Sequence, residues 1–486
     1  MSNSSSRRWW VLVILAMTQL VVVLDGTIVN IALPQAQIAL GLSDSERQWV
    51  VTAYALAFGA LLLLGGRIAD YWGRKRTYLV GMAGFGAASV VGGIAQSGGE
   101  LILARGLQGA FAAMMAPAAL ALLTVTFPGG RERNTAFAVF GSVAGAGAGV
   151  GLVLGGLLTE FVDWRWCLLV NVPIVIVGIV AGAVLVAESR AEGDNRYDWL
   201  GVVTVALGLA SLVFGFTLAE ESWVSIGTIG FIAAGIALLA LFVWVESRVA
   251  QPLLPLRIVL DRVRGGAFLL QAIAGSVMIG ATVYLTFHLQ IVLGFSPLQA
   301  GLASLPLTIV IALVAPLATR FLSRFGARPL MIAGPLVAAS GLFLLSLITV
   351  GGDYLVQVLP ALVLLGIGMA MLFVPMQNLA LAGVAGHDAG AASATVNAAM
   401  QIGGSLGLSI FTTAYAAAAG GVVVTGAASQ LDAFVSGYSA AFVAAGVAML
   451  VGCVLAIVLI RPKGADAAAR REGAPTDAAE AVPAAR

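Results

Sequence analysis

Charge is what this 486-residue chain has least of: only 10% of its residues are Asp, Glu, Lys or Arg. Soluble domains carry about 25%. With 60% hydrophobic residues and a mean hydropathy of +1.01, the chain reads as an integral membrane protein. Cysteine is scarce too. Cys167 and Cys453 fall in different apolar runs, so no disulfide framework is available, and no CxxC or Cys/His cluster suggests a metal. A phosphate-cradling Gly-x-x-x-x-Gly-Lys-Ser/Thr loop is missing, which argues against ATP drive; no cofactor is expected. No polar stretch is long enough for a catalytic domain, and Ser, His and acidic residues do not gather as in a hydrolase, so no enzyme activity is expected. The net charge of +2 says little by itself, and no nucleic-acid partner is expected. No signal peptide with a small-residue cleavage site opens the chain, because its first apolar run is too long.

What is present is a series of continuous apolar runs of about 20 residues, the length of a membrane-crossing helix. Their continuity excludes the alternating pattern of a β-barrel. Fourteen spans are expected, from 9–33 to 439–461, giving an all-α integral membrane protein in a lipid bilayer. An even number puts both termini on one side. With the termini inside, all Lys and Arg except Arg47, Arg105 and Arg165 fall in cytoplasmic segments, as the positive-inside rule requires. The tryptophans lie at or near span ends, where an aromatic belt forms. The expected setting is therefore a cell (plasma) membrane with both termini cytoplasmic. The spans group as six, two and six: 1–188, 189–246 and 247–462, followed by a disordered tail at 463–486. A monomer is expected.

Asp25 lies well inside the first apolar run. A carboxylate at that depth costs several kcal/mol unless it is protonated, paired or wetted. An acid that is neutral in lipid and ionises in a water-filled cleft carries a proton; a paired structural acid is the alternative. Arg105 lies about 7 Å, and Asp25 about 12 Å, from the outer ends of spans four and one. A guanidinium does not release its proton, so Arg105 either tunes a neighbouring acid or bonds backbone carbonyls as a structural group. Span five is dense in glycine, with Gly145, Gly149, Gly151, Gly155 and Gly156 forming a smooth groove for close packing. His288 has the chemistry to titrate near neutral pH, though a lone interfacial histidine also serves structure. Glu220 and Glu221 read as solvated acids, and Met376 and its neighbours as a soft, adaptable surface or plain helix packing.

Between spans two and three runs Gly66-Arg-Ile-Ala-Asp-Tyr-Trp-Gly-Arg-Lys-Arg. Gly73 permits a tight turn, and Asp70 is placed to pair with a base or cap a helix. Together with Arg74 and Lys75 these residues suggest a conformational latch; a mere orientation signal needs neither Asp70 nor the glycine spacing. Thr319-Arg-Phe-Leu-Ser-Arg-Phe-Gly-Ala-Arg repeats the pattern 253 residues later, with Arg320 for Arg67, Gly326 for Gly73 and Ser323 for Asp70. Such an echo suggests two parallel six-span repeats.

The loop resembles the signature loop of the major facilitator superfamily. Leu24–Pro34 resembles the first-span motif of its fourteen-span drug:proton antiporters. Leu101–Gly109, Asp163-Trp-Arg-Trp with Asn171 and Pro173, and Gln401–Gly407 are similar to further segments of that family. Span five resembles its antiporter motif, with Leu152 where the motif has proline. The resemblance implies two six-helix bundles with two linking helices, and proton-coupled export of amphiphilic drugs or antibiotic-like small molecules by alternating access. Asp25 and Arg105 would couple the protons, and spans one, four, nine and twelve would line a central cavity. Asn30, Gln108, Tyr284, His288, Met376 and Gln377 are the residues assigned to that cavity. An uncoupled or symport carrier of one metabolite, and a non-transporting receptor or assembly partner, are the alternatives.

Overall fold

The computed structural model describes residues 2–128, 130–190, 198–219, 222–249, 252–254, 256–381 and 389–460. The expected tail at 463–486 and Glu220 and Glu221 lie outside them. Lipid offers the backbone no hydrogen-bond partners, so each span satisfies its own N–H and C=O groups as a helix. Among the described residues fourteen long helices result. They are α1 (Ser2–Leu40), α2 (Asp44–Trp72), α3 (Arg74–Gly93), α4 (Gly98–Thr126), α5 (Gly130–Phe161), α6 (Asn171–Leu185), α7 (Trp199–Leu218), α8 (Ile226–Glu246), α9 (Arg262–Phe287), α10 (Pro297–Phe325), α11 (Ala327–Leu345), α12 (Leu359–Leu381), α13 (Ala389–Ala419) and α14 (Ala427–Leu459). Among the described residues, thirteen helices are long and apolar enough to cross a membrane by composition. The fourteenth is α3, whose cationic start and many glycines dilute its apolar character.

Side-chain caps set several helix starts. Ser43 and Ser296 form reciprocal capping boxes with Glu46 and Gln299, and Pro297 stands at the first turn of α10. Ser97, Ser225, Asp198 and Asp261 accept from backbone N–H groups at the starts of α4, α8, α7 and α9.

The helices overrun several expected ends. α1 continues through Pro34 to Leu40, because it stops not at the proline but at Gly41, whose φ of 65° ends it. α14 begins twelve residues before its expected start, in a segment too polar to read as membrane-buried. Two π-helical stretches, His288–Val292 and Tyr354–Val358, extend α9 and precede α12. Nothing in the sequence pattern separates a π turn from an α turn.

The helices α1–α6 pack together, as do α9–α14. The pair α7–α8 packs on itself and leans on α2 and α13. The two halves meet chiefly through α2 with α13 and α5 with α10. The sequence echo has a structural counterpart: Gly73 turns α2 into α3 at φ 125°, and Gly326 turns α10 into α11 at φ 79°. A side chain at such φ is strained. Gly73→Ala also brings its methyl to within 3 Å of the Glu188 carboxylate. Strain of this kind costs about 1–3 kcal/mol, so Gly73→Ala is expected to lower the melting temperature in detergent. An unchanged Tm would mean that the turn relaxes at no cost.

The end of the bundle at which α1 begins is taken as the reference end. The opposite side is called the distal end below.

Candidate functional site

Asp25 sits on α1 with no exposed surface. Its carboxylate is held by three donors from two other helices. Arg105 Nη1 on α4 donates to Oδ2 at 2.5 Å. Gln108 Nε2, one turn further along α4, donates to Oδ1 at 3.0 Å. Asn171 Nδ2, the first residue of α6, donates to the same oxygen at 2.8 Å. The guanidinium is itself well supplied: it donates to Val50 O (3.2 Å) and Gln108 Oε1 (2.9 Å), and lies 4.4 Å over the ring of Tyr54. Gln108 donates a second hydrogen bond to Ser89 Oγ on α3 at 2.8 Å. A buried ion pair is tolerated only with this degree of hydrogen bonding. One polar atom of the network is left over: Asn171 Oδ1 is buried with no hydrogen-bond partner.

Local structure explains the placement. Arg105 and Gln108 are three apart on α4, hence on one helical face. Asn171 reaches the site because the chain makes a tight turn before it. Arg165 N donates to Asp163 Oδ1 at 2.8 Å, its guanidinium to Ala95 O at 3.1 Å, and the one-turn helix Trp166–Leu169 then leads into α6. The sequence reading found Asp25 and Arg105. It missed the roles of Tyr54, Ser89 and Asn171, and assigned Gln108 to a cavity. A polar residue within an apolar run was the available signal for Ser89 and Asn171; nothing marked Tyr54.

The six residues assigned to a substrate cavity lie in several settings. Gln108 is consumed by the Asp25 network. Tyr284 and His288 are buried in an aromatic cluster near the distal end, with Tyr284 Oη donating to Thr412 Oγ1 at 2.7 Å. Asn30 is buried on α1, Met376 lies in the core of the second half, and Gln377 is exposed further along α12. Cavity-facing and core-facing residues read alike in sequence when both are apolar or weakly polar.

The latch residues are engaged within one half. Arg74 pairs with Asp70 at 2.8 Å, one helical turn away across Gly73. Beyond Gly73 the N–H groups of Lys75 and Arg76 donate to Glu188 (3.0 and 3.3 Å), and Lys75 Nζ to Ala183 O at 2.6 Å, near the end of α6. A Cβ added at Gly66 would make only ordinary contact with Pro117. Arg67 donates to Pro252 O in the linker after α8 at 2.8 Å.

At the distal end, by contrast, the halves are tied to each other. Glu160 Oε2 at the end of α5 accepts from Ser296 Oγ (2.6 Å) and Leu298 N (3.0 Å) at the start of α10, where a carboxylate suits the helix dipole. Gln290 Nε2 donates to Ile31 O at 2.9 Å, and Gln48 Nε2 to Ser409 Oγ at 2.6 Å. The glycines of α5 serve two partners. Gly151 and Gly155 are backed by Thr27 and Ile28 of α1, in the same half. Gly149 faces Leu305 of α10, and a Cβ on Gly156 would lie 2.6 Å from Leu298 Cα. Gly145 meets nothing within 4 Å. Leu152 is buried, its carbonyl against Gly301 of α10, and α5 continues unbroken through it.

Among the described residues no group of His, Cys, Asp and Glu is placed to hold a metal ion. A family model described as Major Facilitator Superfamily matches residues 15–408. The puromycin resistance protein pur8 of Streptomyces alboniger is 45% identical over 95% of this chain and 93% of its own length. The cephamycin export protein CmcT of Amycolatopsis lactamdurans is 37% identical over 94% of each chain. The tetracenomycin C resistance and export protein of Streptomyces glaucescens is 34% identical over 87% of this chain and 78% of its own. Among solved structures, a bacterial homolog of the human lysosomal transporter Spinster superposes with a TM-score of 0.67 at 17% identity, covering 93% of this chain and 97% of that one. At that identity the likeness is one of fold.

Proposed function

The chain belongs to the major facilitator superfamily, and on that premise we propose that it exports amphiphilic, antibiotic-like small molecules in exchange for protons, by alternating access. It is a multi-pass membrane transporter and not an enzyme. Drug export is supported by the resistance and export proteins to which nearly the whole chain is similar. Proton coupling is supported by one observation above all: a carboxylate and a guanidinium paired at the centre of a helical half with no solvent contact. A closed pair of this kind is a resting state. Coupling requires a second conformation in which water reaches Asp25 and a proton takes the place of Arg105.

Asn171 fits that exchange. An ionised carboxyl accepts only, whereas a protonated one must also donate. Asn171 now gives Asp25 its amide N–H, while its own oxygen is idle. Rotation of that amide supplies the acceptor that a neutral Asp25 needs. Asp25 then finds a partner on Asn171 in either protonation state, and Arg105, though it loses its counter-ion, keeps its bonds to Val50 and Gln108.

The proposed orientation has both termini in the cytoplasm of a monomer, because basic residues crowd the loops on that side. The conformation described is then closed outside, with Asp70, Arg74 and Lys75 engaged within the first half and Arg67 bonded to Pro252 O. Everted vesicles test the scheme. With an acidic lumen, an outward-directed proton gradient is expected to drive accumulation of an exported dye, and a protonophore to abolish it. Accumulation indifferent to the protonophore would favour the uncoupled carrier.

A further inference from the structure

Arg47 crosses from one half of the protein into the other. It starts near the distal end of α2, yet its guanidinium lies 4.4 Å from the ring centre of Phe287 and 5.5 Å from that of Tyr415. Both rings belong to the second half. Tyr284, Tyr415 and Tyr438 form a continuous aromatic wall, with ring centres 5.5–6.0 Å apart. Phe434 and His288 flank Tyr438 at 6.3 Å each. Phe287 and the three tyrosines are each 2% exposed or less, and Arg47 is 4% exposed. The counter-ion of Arg47 comes from its own helix: Asp44 lies 2.9 Å away. Gln37 Oε1, at 3.5 Å, is also in the first half. Cation and carboxylate therefore travel with α2, while the ring faces stay with α9, α13 and α14.

The face of an aromatic ring attracts a cation, and more strongly where water is excluded. The box keeps that property when Arg47 leaves. It also holds unused polar groups. The Tyr438 hydroxyl and both ring nitrogens of His288 are buried without a hydrogen-bond partner. Such groups carry a desolvation cost that a partner would recover, and Arg47 does not supply it.

We propose that this aromatic box is a binding site for an organic cation, an ammonium or guanidinium on an apolar body, which Arg47 fills here and vacates when the halves part at the distal end. The parting rests on the alternating-access reading above; the box itself does not. A cation arriving from the distal side competes with Arg47 and holds that end open.

The test is a binding titration of the full-length protein in lipid nanodiscs. The probes are benzyltrimethylammonium and its neutral carbon isostere, neopentylbenzene. Arg47→Ala removes the tethered competitor and is expected to bind the cation at least about fivefold more tightly than the parent, with no gain for the isostere. Adding Tyr415→Leu is expected to return the affinity to the parent level. Arg47→Gln removes the charge while keeping a shorter polar side chain, and is expected to give the same gain if Arg47→Ala does not fold. Equal gains for cation and isostere, no gain in either Arg47 variant, or a gain that survives Tyr415→Leu would each overturn the proposal. These readouts measure binding and not flux, so loss of proton coupling in vesicles would leave them intact, and their failure would leave the export reading intact.

Discussion

Asp25→Asn is expected to abolish proton-driven export and also to weaken the fold, and adding Arg105→Gln should separate the two losses. Asparagine keeps the shape of the carboxyl but leaves the guanidinium charge, 2% exposed, without its counter-ion. Breaking a buried pair from one side costs about 3–5 kcal/mol, while replacing both partners by neutral groups is often neutral or stabilising. The single variant should therefore melt well below the parent, and the double variant close to it. Export should not return with stability, because neither new side chain takes up a proton. Thermal shift in detergent and uptake into everted vesicles under an imposed pH gradient read the two effects separately. Recovery of gradient-driven export in the double variant would make the pair a structural brace and send the proton elsewhere.

The fold was legible because its physics is one-dimensional. Hydrophobic run length set the number of spans, and all fourteen expected spans have a helix. Helix ends were less legible. Pro34 looks like a terminator, but a helix can carry proline where its geometry permits, and Gly41 ends α1 instead. The site was half legible. Asp25 and Arg105 stand out because ionised groups in hydrocarbon demand a reason. That they meet at hydrogen-bond distance follows from helix packing, which no pattern within one helix contains. Arg47 shows the same limit from the other side. It was read as one of the few cations outside the basic loops, yet it is buried against rings of the other half, 240 and 368 residues further along the chain. Tyr284 and His288 were picked for their chemistry, and their real neighbours, Tyr415 and Tyr438, come from two other helices.

Gly156→Val is expected to hold the distal end open. The contact it disturbs is between backbones. A Cβ at position 156 would lie 2.6 Å from Leu298 Cα and 2.8 Å from Pro297 O. Neither is the end of a side chain that can swing aside, so α5 and α10 must separate by roughly 1 Å to restore ordinary contact. Overpacking of this kind costs about 1–3 kcal/mol. Charged to one conformation only, it shifts the balance between the two by about 5–150-fold. The separation also pulls Glu160 away from Ser296 and Leu298, the hydrogen bonds that close the same seam. Spin labels at Ile38→Cys and Val424→Cys, both exposed positions beyond the seam on opposite halves, report the opening as a longer distance by pulsed electron paramagnetic resonance. Cys167 and Cys453 are buried, so the label goes to the introduced thiols. Two glycines of the same helix calibrate the result. Gly145→Ala meets nothing within 4 Å and is expected to change neither distance nor export, whereas Gly151→Ala collides with Thr27 inside the first half and is expected to lower stability without opening the seam. A Gly156→Val protein with the parent's distance distribution would mean that the closure of α5 on α10 tolerates a side chain, and that something other than this backbone contact sets the distal gate.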